Sequence, residues 1–353
     1  MATSSTSLTS SASLTSLTST AAIPKEFESI PLKREFIDPV ARYQSLANSN
    51  VSDVKVIEGV PKWDMLTIDK KPVFDWYFAP NDESHNITVA AVTTDAAYEL
   101  GDNFLQYFTE SEIFNIKKRK YPSVVEFYLK NFPLIYSKAM DLKKSDPITG
   151  MPDRFYINEV LYKMPEIKRV KPMRISTALA IFRYFDSKVI FDPQPEFFSR
   201  MIAASITGAT VYHCLNPKSY NFAYEIQNFL NKPNFYVAEA GLDILVPNVV
   251  QENSYDTVFT QLSFFEDDEE NKRLYQTEDN WLKQYAYNFI SNSVKALVKN
   301  GYLMLYFSDH RYAKYMRPVS EYCVRILNMS FLGVIGVTKT DLDFANAILV
   351  WRK

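Results

Sequence analysis

Glycine is scarce, with 8 in 353 residues, about a third of the ~7% usual in globular chains. Gly59, Gly101, Gly150, Gly208, Gly241, Gly301, Gly333 and Gly336 never place three in one loop. That excludes a P-loop and a GxGxxG dinucleotide turn, both of which need clustered glycines to bring backbone N–H groups up to a phosphate. Two cysteines, Cys214 and Cys323, exclude a disulfide framework and a four-cysteine zinc site, and suit a reducing compartment. Three scattered histidines, His85, His213 and His310, make no His-rich metal site, so no metal is expected. A formal net charge of −2 provides no global field for nucleic acid, whose non-specific affinity comes from Lys and Arg on phosphates. No apolar run reaches the ~18 residues of a membrane span. What remains is a chain whose 47% apolar content fits a packed core.

Three regions differ in composition. From Met1 to Ala22, fourteen residues are Ser or Thr and none is charged; this reads as a disordered tail, with a transit peptide as the sharper alternative, although such peptides carry Arg and the first base here is Lys25. Residues 23–170 form a mixed, largely helical N-terminal region. In it His85 to Thr94 (HNITVAAVTT) reads as a strand, and Tyr121 to Lys144 carries Val124, Phe127, Tyr128, Phe132, Ile135 and Tyr136 at helical spacing. Its basic run, Lys117 to Lys120 (KKRK), is either a nuclear signal or phosphate contact, or an ordinary solvated helix end.

Residues 171–353 alternate strand and helix. Strands are expected at Lys188–Phe191, Thr210–Leu215, Phe235–Ala238, Tyr255–Thr260, Tyr302–Phe307, Phe331–Val337 and Ala345–Trp351. Helices are expected at Phe197–Ile206, Lys218–Leu230, Glu278–Lys299, closed by Asn300-Gly301, and Pro318–Asn328. This alternation predicts an α/β fold with a parallel sheet covered on both faces, whose ligands bind beyond the carboxyl ends of the strands at the switch point.

At those ends stand DPQPEFFSRMIAAS (Asp192 to Ser205), LNPKSY (Leu215 to Tyr220) and FTQLSFFEDDEE (Phe259 to Glu270). Here the chain resembles the S-adenosylmethionine-dependent methyltransferases that act on exocyclic amino groups of DNA bases, especially the methyltransferase-like proteins of large DNA viruses. The likeness covers Val170 to Lys353, including Asp309 after the fifth strand and the closing NAILVWRK. It implies a Rossmann-like methyltransferase fold, mostly parallel with an antiparallel closing strand.

The same resemblance assigns site residues. Asp192, Arg200, Asn216 and Glu239 match cofactor-binding positions, with Asn216 where the family's ribose-binding acid stands. Gln261 matches the side chain that accepts a hydrogen bond from the target amino group, and Phe264 the aromatic that stacks on the flipped base. The family's glycines are replaced by Glu196 and Phe198, both prolines of its catalytic loop are gone, and Glu266 to Glu270 form five consecutive acids that would repel a DNA backbone. Phe197, Phe198, Phe264 and Phe265 are equally readable as fillers of a vacated cofactor pocket. Two functions follow: a pseudo-methyltransferase that has lost S-adenosylmethionine and serves as scaffold or partner subunit, alone or as a homo-oligomer, or an active methyltransferase on an amino group of DNA or RNA. The expected location is intracellular, cytoplasmic or nuclear, or in the virion if the protein is viral.

Overall fold

Branched and aromatic runs generate the central sheet, and those at Val189–Asp192, Val211–Leu215 and Tyr255–Gln261 are each followed by a helix. The computed structural model describes residues 23–49, 54–56, 67–68, 71–72, 89–93, 97–117, 121–146, 150–167, 170, 172–216, 220–240, 250–265, 269–308, 312–338 and 344–353. The Ser/Thr-rich segment, Lys118 to Lys120, Glu266 to Asp268, Asp309 and His310 lie outside them.

The N-terminal region contributes helices α1 (Pro39–Ala47), α2 (Ala97–Asn115), α3 (Val124–Ser145) and α4 (Asp153–Lys163), and strands β1 (Val54–Val56), β2 (Thr67–Ile68), β3 (Lys71–Pro72) and β4 (Val89–Thr93), and helix α5 (Ile175–Tyr184) opens the second region. Then follow β5 (Val189–Asp192), α6 (Ser199–Thr207), β6 (Val211–Leu215), α7 (Asn221–Leu230), β7 (Phe235–Ala238) and β8 (Tyr255–Gln261). After α8 (Glu269–Tyr275), helix α9 (Glu278–Trp281) passes through a π turn at Leu282–Ala286 into α10 (Tyr287–Ala296). Strand β9 (Leu297–Phe307), α11 (Ala313–Glu321), β10 (Ser330–Thr338) and β11 (Phe344–Arg352) complete the chain.

In the main sheet the strand order is β1-β4-β10-β11-β9-β8-β5-β6-β7. Strands β7, β6, β5, β8 and β9 run parallel to their neighbours, and β11 is inserted antiparallel between β9 and β10. This is the expected Rossmann-like methyltransferase arrangement. The chain winds from β5 outward to β7 and then returns to β8 on the other side of β5, so the switch point lies between the carboxyl ends of β5 and β8. Asp192 and Gln261 are the last residues of those two strands.

The sheet crosses the sequence boundary at residue 170. Strand β4 lies parallel beside β10, with Val89 opposite Val334 and Thr93 opposite Thr338, and β1 pairs antiparallel with β4. One buried cluster joins Phe104, Phe108 and Tyr128 of the N-terminal helices to Ile190, Met201 and Phe222. The other face of the sheet is covered by Trp281, Phe289, Ile290, Tyr315 and Met316.

Two expectations are corrected. The last helix, expected at Pro318–Asn328, begins at Ala313 and ends in a π turn at Tyr322–Ile326, so Pro318 lies inside it. The long helix stops at Ala296, and β9 begins at Leu297 instead of Tyr302. Leu297 is needed as the sheet partner of Tyr255, so extended backbone displaces the helical end. Asn300 then takes a left-handed φ of 65°. A Cβ on Gly301 would come within 3.0 Å of the Asp256 and Val298 carbonyl oxygens, which is why glycine stands there.

Candidate functional site: the carboxyl ends of the strands

Asp192 ends β5 with its side chain 0% exposed. An isolated buried carboxylate is prohibitively costly, and three donors surround this one. Arg200, on the first turn of α6, grips it with Nε at 2.6 Å and Nη2 at 3.1 Å, and the Tyr212 hydroxyl of β6 donates at 2.6 Å. Arg200 Nη2 also donates to the Gln194 carbonyl at 2.6 Å, and its guanidinium lies 5.4 Å from the Phe259 ring centroid. Burial opposes the Arg200 charge, but the adjoining Asp192 more than offsets it and holds the guanidinium above its ordinary range. Burial, then Asp192, pushes the Tyr212 hydroxyl well up.

The loop after β5 is pinned down by Gln194. Its N–H donates to Thr260 Oγ1 of β8 at 3.1 Å, and its Oε1 accepts from the Tyr285 hydroxyl at 3.1 Å. Tyr285 sits on the π turn between α9 and α10. Beyond it, Glu196 and Phe198 have φ values of 52° and 62°. The two positions that the sequence resemblance matches to glycines thus have a glycine-type backbone without glycine, at roughly 1–2 kcal/mol each. What holds them is packing and hydrogen bonding. Phe198 is 1% exposed and meets Phe222 edge-on, while Phe197 stacks on the same ring at 6.1 Å. The Glu196 carboxylate reaches across the switch point to accept from Gln261 Nε2 at 2.9 Å.

Asn216 is buried just past β6, and its amide pairs with one residue's backbone: Oδ1 accepts from Tyr220 N–H at 3.0 Å and Nδ2 donates to Tyr220 C=O at 3.1 Å. It closes the loop before α7. Glu239, just past β7, is exposed and accepts from the Tyr224 hydroxyl at 2.9 Å.

On the β8 side, Gln261 is 7% exposed. Its Nε2 is shared between Glu196 and Ser308 Oγ at 3.3 Å, while its Oε1 is buried with no hydrogen-bond partner. The Glu196 carboxylate fixes this orientation of the amide, since a flipped amide would set oxygen against oxygen. Phe264 is 3% exposed and stacks face to face on Tyr312, with centroids 3.8 Å apart and planes at 8°. Its expected base-stacking face is therefore given to Tyr312. Without prolines, the loop after β8 is held by the Ser263 carbonyl, which accepts from Asn271 Nδ2 at 2.8 Å and Trp281 Nε1 at 3.2 Å.

The fold thus brings Asp192, Arg200 and Gln261 together around the β5 loop, with Asn216 at the end of neighbouring β6. It engages Phe264 in a separate aromatic cluster. Glu196, Ser308, Tyr212 and Tyr285 join the site although the sequence did not single them out as ligands. Only Glu196 carried a signal, as a charged residue at a glycine position. Burial, and then Glu196, raises the Tyr306 hydroxyl, while burial pushes the Arg174 guanidinium down to about 10. Among the described residues no group of three His, Cys, Asp or Glu could hold a metal ion, and no helix is long and apolar enough to cross a membrane.

The donor half does not fit S-adenosylmethionine in this conformation. The methionine cradle that the resemblance implies is bare backbone at the positions where this chain carries the side chains of Glu196 and Phe198, the Asp192 carboxylate is enclosed by Arg200 and Tyr212, and Asn216 is engaged by Tyr220.

No family model and no curated protein matches the chain. Among solved structures it is similar to a SAM-dependent methyltransferase from Aquifex aeolicus, at 13% identity over 50% of this chain and 88% of that one, with a TM-score of 0.37. It is similar to the N-methyltransferase NodS from Bradyrhizobium japonicum in complex with S-adenosyl-L-homocysteine, at 12% identity over 50% and 84%, with a TM-score of 0.35. A third is an rRNA methylase from Streptococcus thermophilus, at 10% identity over 52% and 97%, with a TM-score of 0.36. Strand order and direction assign the fold without them.

Proposed function

We propose that this chain is a pseudo-methyltransferase: a methyltransferase-fold protein without donor chemistry that acts as a scaffold or partner subunit. The observation that carries the reading is the Glu196–Gln261 bridge. It ties the donor loop to the acceptor strand across the switch point, where donor and acceptor would have to meet. Buried packing of Phe197 and Phe198 and the closed Asp192–Arg200–Tyr212 cluster support the same reading. In this reading the chain is a degenerate relative of the DNA amino-methyltransferases, of the kind found in large DNA viruses, with the polar skeleton of the site retained for stability.

A second reading, an active methyltransferase on an amino group of DNA or RNA, is favoured by the unpaired Gln261 Oε1. A buried acceptor without a donor costs about 1–3 kcal/mol, and an amino N–H would satisfy it. Thermal unfolding separates the two, because a ligand that binds only the folded state raises the melting temperature. The scaffold reading expects no shift with S-adenosylhomocysteine in large excess. A dose-dependent rise, lost in Asn216→Ala, would establish the second reading instead.

A further inference from the structure

Helix α3 presents a face that the strand-end site does not use. Pro133 lacks the N–H of a regular helix, and the backbone kinks at Asn131 (φ −120°, ψ 22°). Around the kink lies an open depression of about 650 Å³ lined by Lys117, Tyr121, Pro122, Glu126, Phe127, Lys130 and Asn131. Phe127, Lys130, Asn131 and Leu134 follow one another at helical spacing, so Leu134 continues the wall of the depression along the same face. Leu134 is 48% exposed, a large aliphatic side chain left in solvent on this face.

Charge decides what could cover it. The acids on this face already have cations: Glu126 pairs with Lys117 at 2.5 Å and Asp141 with Lys144 at 3.7 Å. Lys130 and Lys138 are exposed and make no ion pair or hydrogen bond among the described residues. Two surplus cations thus flank an exposed leucine, Leu134, and a half-buried aromatic, Phe127.

We infer that this face of α3 docks an acidic peptide segment of a protein partner, with an aliphatic or aromatic side chain seated in the depression against Phe127 and Leu134. Two carboxylates of the segment pair with Lys130 and Lys138. Nucleic acid would gain little from Leu134, and Glu126 on the rim repels phosphate. The face is remote in sequence from the strand ends, and the inference stands whether or not a methyl donor binds there.

The test is selection of a random phage-displayed peptide library on the immobilised full chain. Enriched peptides should place two or more Asp or Glu beside a Leu, Ile or Phe. The best of them, made synthetically, should lose roughly tenfold or more in affinity, as expected for central interface contacts, in Leu134→Ser and in Lys130→Glu/Lys138→Glu. A peptide with Lys in place of its acids should recover binding to the second variant. These positions are solvent-facing, and matched melting temperatures verify folding; either variant alone suffices. Failure to enrich such peptides, binding indifferent to both variants, or tighter binding of single-stranded RNA or phosphatidylserine vesicles abolished by the same changes would overturn the inference.

Discussion

The two halves of the strand-end site have kept polar residues in opposite conditions. On the donor half, the carboxylate of Asp192, the guanidinium of Arg200 and the amide of Asn216 are buried and engaged by neighbours within the protein. On the acceptor half, Gln261 is equally buried but has its oxygen unpaired. Residue type alone thus says little about chemistry. A carboxylate with three internal donors has a structural role that needs no ligand, whereas the Gln261 oxygen is one of several buried side-chain polar atoms, Asn158 Oδ1 and Trp351 Nε1 among them, that have no hydrogen-bond partner.

The contrast is most sharply tested on the donor half. Arg200→Met should destabilise the protein by about 3–5 kcal/mol in urea unfolding, because it strands a buried carboxylate. A loss under about 1 kcal/mol would mean that the pair is not enclosed as described. Asn216→Ala should cost roughly 1–3 kcal/mol, the penalty of opening the Tyr220 loop clasp. On the acceptor half Gln261→Met should lie within about 1 kcal/mol of the parent, since the hydrogen bonds to Glu196 and Ser308 are exchanged for removal of an unpaired buried oxygen. A loss there as large as at Arg200 would erase the distinction. Glu196→Gly should be close to neutral, because relief of roughly 1 kcal/mol of left-handed strain offsets about 1 kcal/mol of hydrogen bonding to Gln261.

A subtler effect should appear with pH in the N-terminal region. Glu110 is buried among Tyr162, Asn158 and the Lys33 N–H, and burial raises its carboxyl despite those donors. Its folded pKa exceeds the unfolded value, so the folded state holds the proton more tightly. Its contribution is full below the ordinary carboxylate range and is lost as pH rises through the folded value. In Glu110→Gln, melting temperature against pH should be flatter across that window.

Much of the sheet was legible in the sequence because its strands are aromatic or branched runs, and those of β5, β6 and β8 are short and followed by a helical stripe. Phe235–Ala238 is observed as expected, and β6, β8, β10 and β11 differ from expectation by a residue at one or both ends. The start of β9 was not legible, since Leu297 and Val298 fit the helical stripe and only pairing with Tyr255 draws Leu297 into the sheet. The joining of β4 to β10 depends on contacts between segments more than two hundred residues apart, which no local period encodes. At the site, positions were legible and partners were not. Asp192 and Gln261 could be placed at strand ends, but Tyr212 reads in sequence as any core aromatic, and the tyrosine on the π turn, Tyr285, as one more residue of a helix stripe.

The most direct measurement is calorimetric titration of the folded full chain with S-adenosylmethionine, with Glu196→Gly titrated alongside. Absence of heat from the parent at high ligand concentration is the predicted result, as the donor half is filled by its own side chains. Micromolar binding to the parent, abolished by Asp192→Ala in a variant shown to be folded, would contradict the account.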